Sequence, residues 1–283
     1  MSLNQIKRKI GSIKTTSKIT NAMKLVSNAK LVKQKKEYLK TKEYFNEYFN
    51  VFGQILSFID LDNLFKINEN EDNTLWITIN SNMGLCGAFN NNINKLLKEN
   101  IKENDKLAIY GNKGINYWKN NKKLSDDNLL SFMGQRYENI SYDTVQSLSF
   151  KIWKMFIKTK EINKIKLVYS KFVNAMTFVP EIINIFPFDP SKLVEIDFKE
   201  NDFDFEPNKE EIIYELMPQY ITNIIYGAFI ESKISENASR SNSMNTATDN
   251  ANKMLDDYKI KYNRQRQSKI TSEINEIVSG FNS

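Results

Sequence analysis

The feature that most constrains the fold is a nearly uninterrupted stretch of helix-forming sequence at the C-terminal end. The 72 residues from Asn208 to Ser279 contain one glycine, Gly227, and one proline, Pro218. If mostly helical, this stretch would extend roughly 100 Å at about 1.5 Å per residue. An ordinary globular helix has only about three turns. Because so long a rod needs a partner along its length, we expect a second long helix and a molecule built to reach or to transmit.

The N-terminal end can supply that partner, and we predict a helix over residues 1–60. Its apolar residues recur at spacings of three and four, which indicates one helical stripe. The stripe consists of Leu3, Ile6, Ile10, Ile13, Ile19, Met23, Val26, Ala29, Leu39, Phe45, Phe49, Phe52 and Leu56. Gly11 and the cluster Thr15–Ser17 weaken the helical propensity, so we expect a bend there.

Between the two ends, the sequence is typical of strands and turns. Thr74–Ile79 alternates and is rich in β-formers, Ile165–Tyr169 and Phe172–Phe178 are further predicted strands, and Tyr142–Lys158 is helical. This alternation predicts a small α/β domain over residues 74–190 with a largely parallel sheet.

The C-terminal helix is predicted over residues 208–283, after an irregular, acidic connection that begins near Pro180. Asn208 and Glu211 form a plausible capping pair, and Pro218 should kink or restart the helix. The apolar seam that follows becomes small and polar in its middle, at Ser241, Asn242, Ser243, Thr246 and Thr248. We therefore expect the two long helices to pair antiparallel, with the α/β domain inserted between them.

The charge is unevenly distributed. The formal net charge is +6, yet the segment from Met1 to Lys42 carries twelve basic residues and one acid, Glu37. This excess of basic residues indicates an acidic partner surface for the N-terminal end. Nucleic acid is an alternative partner, but the charges surround the helix and no aromatic residue precedes Tyr38, so a stacking platform is lacking. We prefer a protein-facing or solvated surface.

The chemistry of common active sites is missing from this sequence. It contains no histidine and one cysteine, Cys86, which excludes Ser-His-Asp, Cys-His and His-based metal sites. A single cysteine also excludes an internal disulfide and indicates a reducing compartment. No apolar run approaches the roughly 18 residues that a membrane span needs. The carboxylates of Glu195–Glu215 are interpreted as a solvated loop, and we expect no catalytic residue, cofactor or metal.

The glycines of Gly84–Gly87 follow a predicted strand, where glycine-rich loops can hold a phosphate. The loop matches neither G-x-G-x-x-G nor G-x-x-x-x-G-K-[ST] and contains no Lys or Arg. We interpret it as a tight turn between strand and helix.

Three motifs resemble one known family. The stretch from Ile6 to Val26 (IKRKIGSIKTTSKITNAMKLV) resembles the N-terminal helix of the gamma subunit of F-type ATP synthases. The turn Gly84-Leu85-Cys86-Gly87 is similar to the turn after that family's first strand. The stretch from Ser239 to Gly280, with Ala247-Thr248-Asp249-Asn250-Ala251 and Tyr262-Asn263-Arg264, resembles its C-terminal helix. The expected fold is α/β, an antiparallel coiled coil with an inserted Rossmann-like domain.

The resemblance implies the central rotor shaft of a rotary ATP synthase or ATPase. In that family the terminal helices lie inside a ring of alpha and beta subunits, and the α/β domain contacts the epsilon subunit and the membrane c-ring. The chemistry takes place in the beta subunits, so this chain would be non-catalytic. It would lie peripherally at the cytoplasmic face of the cell membrane and bind no nucleic acid.

The resemblance also implies partner-contact residues. Met23 and Lys24 match a site on the N-terminal helix near an acidic loop of the beta subunit. The matching C-terminal positions, which pair near Met23 or touch the ring, are Arg240, Arg266, Gln267, Thr271 and Glu273. The chain departs from the family pattern at Asn82 and Met83, where Asp and Arg are usual, at Ser241–Ser243 and at Asn275. The polar seam suggests a divergent stator ring or a looser fit.

Three other functions remain open from the sequence. The chain could be the shaft of a paralogous F-type-like ATPase that does other mechanical work, such as motility. It could be a basic coiled-coil protein that binds nucleic acid. It could be a nucleotide-binding enzyme that uses the Gly84–Gly87 loop.

Overall fold

The chain has long helices at both ends and a five-stranded sheet between them. The computed structural model describes residues 2–57, 73–121, 124–131, 140–159, 162–187, 206 and 208–281. The helices are α1 (Leu3–Ser57), α2 (Phe89–Asn100), α3 (Asn112–Lys119), α4 (Tyr142–Thr159) and α5 (Lys209–Phe281). The long helix at each end and the sheet between them confirm the mixed α/β architecture that the sequence predicts.

The contacts divide the chain into two compact units. The terminal unit comprises Met1–Ala29 and Arg240–Ser283, and the sheet unit comprises Lys30–Ser239. Helices α1 and α5 contribute to both. Of the predicted segments, residues 1, 58–60, 122–123, 132–139, 160–161, 188–190 and 282–283 lie outside the described residues, as does most of the acidic connection.

The sheet has the order β3-β2-β1-β4-β5. The strands are β1 (Thr74–Ile79), β2 (Lys106–Tyr110), β3 (Leu129–Ser131), β4 (Lys164–Phe172) and β5 (Phe178–Phe186). The first four are parallel, and β5 pairs antiparallel with β4 along one edge. The largely parallel sheet predicted from the sequence is confirmed.

Strand β1 is the centre of the sheet unit and is buried on both faces. Leu75, Ile77 and Ile79 pack into a core formed with α4, the end of α1 and the first part of α5. Trp76 points to the opposite face, into a core formed with α2 and α3. Helices on both faces explain why this strand is a continuous β-forming run rather than a half-polar one.

The buried carboxylate of Asp105 fixes the start of the sheet. It accepts hydrogen bonds from the backbone amide of Thr74 (2.9 Å), the indole N–H of Trp76 (2.9 Å) and the backbone amide of Lys102 (2.8 Å). Three donors offset the cost of removing a charged group from water. Asp105 therefore has a structural role in connecting β1 with the loop before β2.

The prediction of a strand over Phe172–Phe178 is wrong. Phe172 ends β4 and Phe178 begins β5, but the residues between them are a connection. Asn174 shapes it by accepting bonds from the amides of Met176 (2.9 Å) and Thr177 (2.8 Å). Such an Asx-type turn competes with strand formation. Pro180, predicted to begin an irregular connection, lies within β5, where an edge strand tolerates the missing N–H.

The sequence predicts that Pro218 kinks or restarts α5, and of these two alternatives the restart is wrong. The helix begins at Lys209, directly after Asn208, whose Oδ1 accepts a hydrogen bond from the Glu211 amide at 2.9 Å. It continues through Pro218. Met217 and Ile221 are fully buried beside the proline. Their burial offsets the roughly 3 kcal/mol that an interior proline costs a helix. Helix α1 likewise continues through Gly11 and Thr15–Ser17.

Within the described residues, none of the helices has an 18-residue window apolar enough to cross a lipid bilayer.

Candidate functional site

In the terminal unit, α1 and α5 are joined by polar side chains. The Ser17 hydroxyl donates to Asn252 Oδ1 at 2.8 Å, and the Ser241 hydroxyl donates to Asn28 Oδ1 at 2.6 Å. Between them, the hydroxyls of Thr20 and Thr248 lie 2.7 Å apart. Two residues of the polar seam, Ser241 and Thr248, therefore form hydrogen-bonded pairs with α1, and Asn252 beyond the seam forms a third.

These pairs define one register. The paired residue numbers add to 269 for Ser17 and Asn252, 268 for Thr20 and Thr248, and 269 for Asn28 and Ser241. A constant sum means that the chain directions of the two helices are opposite along this contact. The N-terminal partners were missed by the sequence reasoning, although Ser, Thr and Asn at spacings of three and eight beside an apolar stripe could have signalled them.

Because polar residues occupy the contact, part of the predicted apolar stripe points elsewhere. Ile19 and Val26 are each 56% exposed, whereas Ser27 is 2% exposed. Leu25 is also 60% exposed. Helix α1 thus presents apolar side chains to the outside of its contact with α5, which is unusual for a surface that only water would cover.

The candidate residues Met23 and Lys24 are half-buried on α1, and Arg240 on α5 is buried. The register sum near 269 places Asn245 and Thr246 opposite Lys24 and Met23. It places Arg240 opposite Ala29, about five residues further along α1. The structure therefore brings Arg240 into the same stretch of the helix contact as Met23 and Lys24.

The remaining candidates lie far from that stretch. Arg266, Gln267, Thr271 and Glu273 are all exposed on α5. Arg266 is 21 residues beyond Asn245, which is roughly 30 Å along a helix. The Thr271 hydroxyl donates to the backbone carbonyl of Gln267 (2.9 Å), and Glu273 pairs with Lys269 at 3.4 Å on the surface. The structure does not bring these four residues near Met23.

The last turns of α5 form an apolar tip. By the same register, residues beyond Gln267 lie past the first residue of α1, Leu3. Four of them are about half exposed at spacings of three and four, so they share one helical face: Ile270, Ile274, Ile277 and Val278. Within the terminal unit, no described residue of α1 lies opposite this face.

In the sheet unit, α1 and α5 are joined by further polar pairs. The Tyr38 hydroxyl donates to Glu231 at 2.6 Å, and the Asn237 amide donates to Gln34 at 2.9 Å. Burial, followed by the hydrogen bond to Glu231, raises the pKa of the Tyr38 hydroxyl above its ordinary value. This hydroxyl is therefore a proton donor throughout the physiological pH range.

The Gly84–Gly87 loop is a closed turn. Leu85 and Gly87 have φ of 63° and 55°, in the left-handed region. The backbone amide of Ser81 donates to Asn90 Oδ1 (2.9 Å), and the amide of Phe89 donates to the Cys86 carbonyl (3.2 Å). These two amides flank the Gly84–Gly87 loop and bond within the chain, whereas the amides of a phosphate-binding loop point at its ligand. Cys86 is buried.

Comparison with known proteins identifies the family. The family model described as ATP synthase matches residues 2–283. The ATP synthase gamma chain of Ureaplasma parvum is 41% identical over 286 residues, which covers 99% of each chain.

Two solved structures are similar in fold. A chain of the Euglena gracilis mitochondrial ATP synthase (OSCP, F1 and c-ring) has a TM-score of 0.67 at 16% identity, covering 99% of this chain and 93% of its own. A chain of the central stalk and c-ring structure from Tetrahymena thermophila has a TM-score of 0.61 at 20% identity, covering 81% and 99%. The full-length sequence match decides the assignment: the chain belongs to the gamma chain family of F-type ATP synthases.

Proposed function

We infer that the chain is the central-stalk rotor subunit of a rotary F-type ATP synthase. In this role it couples ATP synthesis or hydrolysis in a ring of alpha and beta subunits to ion translocation by rotation. The observation that carries this inference is the opposite-direction contact between residues 17–28 and 241–252, in a chain that matches gamma chains over its full length.

The two terminal helices form an antiparallel coiled coil in this proposal. The constant register of the three polar pairs supports it, as does the burial of Ile6, Ile13, Met244 and Ala251 in the terminal unit. Buried polar residues specify the register of paired helices at some expense of stability. The polar seam would therefore make the shaft well defined rather than strongly hydrophobic.

The alpha-beta ring is the proposed partner of the outer face of this shaft. The exposed apolar residues Ile19, Leu25 and Val26, and the apolar tip of α5, supply area that a surrounding ring could cover. Exposed basic residues of α1 would attract acidic loops. The proposed contact residues are Met23, Lys24, Arg240, Arg266, Gln267, Thr271 and Glu273.

The chain itself is non-catalytic in this proposal. The absence of histidine from the sequence and the full-length match to gamma chains support a mechanical role. Asymmetry of the shaft would force the beta subunits through different conformations in turn. The sheet unit would contact the epsilon subunit and the c-ring, at the cytoplasmic face of the membrane, and no nucleic acid would be bound.

Purification of the native complex tests this function. A tag on this chain should recover alpha, beta and epsilon subunits and the c-ring, with one copy of this chain per three alpha and three beta subunits. Recovery of the alpha-beta ring without the epsilon subunit and c-ring would favour a paralogous ATPase shaft. Tight, steeply salt-dependent binding of DNA by the isolated chain would instead support the nucleic-acid alternative.

Truncation tests the role of the apolar tip. Deletion of all residues after Leu255 should leave the sheet unit folded, because none of the deleted residues belongs to it. It should lower torque-coupled turnover of the assembled complex roughly tenfold or more, since several apolar side chains lose their proposed contact area. A truncation after Ser279 is the control, and turnover equal to that control would refute the assigned role.

A further inference from the structure

Three serines of α5 are bonded to the backbone of the sheet unit. The backbone amide of Ser170 in β4 donates to Ser232 Oγ at 3.1 Å, and the Ser235 hydroxyl donates to the Ser170 carbonyl at 3.1 Å. The Ser239 hydroxyl donates to the Cys86 carbonyl at 2.5 Å. We name Ser232, Ser235 and Ser239 the serine clamp. It joins one helix to β4 and to the loop after β1.

The topology explains why the backbone of Ser170 is available. Its partner in β5 is Pro180, which has no N–H to donate. On its other side β4 pairs with β1, but that pairing ends at Thr78 and Val168. Ser170 therefore lies two residues past the end of the pairing with β1, where two hydroxyls of α5 bond to its amide and its carbonyl. Two hydroxyls of α5 take the place that another strand residue would have.

The clamp is rigidly placed. Its three residues are spaced three and four apart, so they share one face of α5 over about 10 Å of helix. Ser232 and Ser235 are 0% exposed and Ser239 is 3% exposed. A buried backbone group that lost its partner would remain unsatisfied, which is unfavourable. Rotation of the helix about its axis would break all three bonds together.

Hydrogen bonds can fix the rotational position of a helix, which apolar packing alone does not. Hydrophobic contacts are non-directional and respond to buried area, so a helix on an apolar surface can turn while it stays buried. Hydrogen bonds require near-linear geometry. In open α/β sheets the crevice at the carboxyl ends of neighbouring parallel strands usually receives a ligand. Here Ser239 of α5 bonds to the loop after β1 at that edge, so α5 lies where a ligand usually binds.

We propose that the serine clamp fixes the rotational position of α5 on the sheet and thereby transmits torque between helix and sheet unit. This inference rests on the proposed rotor function. The three serines of the clamp are positioning residues, which in this proposal touch neither nucleotide nor ion. Without the clamp, α5 would remain packed on the sheet but would turn about its own axis under load.

The test uses the assembled complex with the full-length chain. The triple variant Ser232→Ala, Ser235→Ala, Ser239→Ala is compared with Ser149→Ala, which removes an equally buried hydroxyl whose bond to the Val145 carbonyl stays inside α4. Three quantities are measured on equal amounts of assembled complex: ATP hydrolysis, ATP-driven rotation of a bead attached to the sheet unit, and hydrogen exchange of the Ser170 amide. The single variants Ser235→Ala and Ser239→Ala serve if the triple variant assembles poorly.

We expect the triple variant to keep its rate of ATP hydrolysis but to rotate the bead more slowly under load. Hydrolysis should match the Ser149→Ala complex, whereas rotation under viscous load should fall at least twofold and the Ser170 amide should exchange about tenfold faster. Unchanged rotation under load, or rotation and hydrolysis that fall in equal proportion, would overturn the proposal. If the unaltered complex did not rotate at all, the rotor function itself would fail, which is a different outcome.

Discussion

At the scale of single residues, Tyr48 combines good packing with an unsatisfied polar atom. Its ring stacks on Phe52 at 5.9 Å, yet among the described residues its buried hydroxyl has no hydrogen-bond partner. Burial, with smaller effects from Tyr142, Tyr44 and Tyr220, raises the pKa of this hydroxyl above its ordinary value of 10.0. The folded chain therefore holds the proton more tightly than the unfolded chain does.

The sign of the pH dependence follows from that shift. Stability associated with a raised pKa is complete below about pH 10 and is lost as the pH rises further. Tyr48→Phe should leave the free energy of unfolding at pH 8 unchanged or raise it by up to about 1 kcal/mol. It should also reduce the loss of stability between about pH 9 and pH 11. Denaturant titrations over this range check both effects, and a decrease at pH 8 would show that the hydroxyl has a partner.

At the scale of elements, the polar pairs between α1 and α5 should be measurable one at a time. A double-mutant cycle of Asn28→Ala and Ser241→Ala should give a coupling free energy of about 1 kcal/mol, because the two side chains share a hydrogen bond. The cycle of Asn28→Ala with Ser149→Ala is the control and should be additive. Additivity in both cycles would mean that the Asn28–Ser241 pair contributes no interaction energy.

Elements with a strong local signal could be predicted from the sequence. Strand β1 begins and ends where its run of β-formers does, at Thr74 and Ile79, and the capping pair of Asn208 and Glu211 is present. The turn between Phe172 and Phe178 could not be predicted, because the apolar residues of this segment outweighed the one turn-former, Asn174. Continuation of α5 through Pro218 depends on tertiary burial of its neighbours, which no local propensity reports.

The candidate site could be predicted only in part from the sequence, for a similar reason. The apolar spacing of α1 indicates a helix but does not say which side faces α5. The structure buries Ser27 and exposes Ile19 and Val26, since the facing residues of α5 are Ser, Thr and Asn. Polar partners can be matched only when the register of the two helices is known. The contact residues carried over from the family resemblance remain predictions.

At the scale of the whole molecule, the asymmetric charge should control assembly. Binding of the chain to a purified alpha-beta ring should weaken from about 50 mM to about 500 mM salt, because salt shortens the range of surface charges. Lys24→Glu should weaken binding about threefold at low salt and reduce the salt dependence. Lys95→Glu, an exposed lysine on α2, is the matched control. Equal effects of the two variants would remove Lys24 from the proposed contact.

The lone thiol of Cys86 has a practical consequence for watching rotation. It is 2% exposed, and the Asn90 amide lies 3.2 Å from its sulfur, so a maleimide dye should not reach it in the folded chain. The native sequence therefore serves as its own cysteine-free background. One cysteine introduced on the exposed surface should take a single fluorophore or bead linker, and no further substitution is needed.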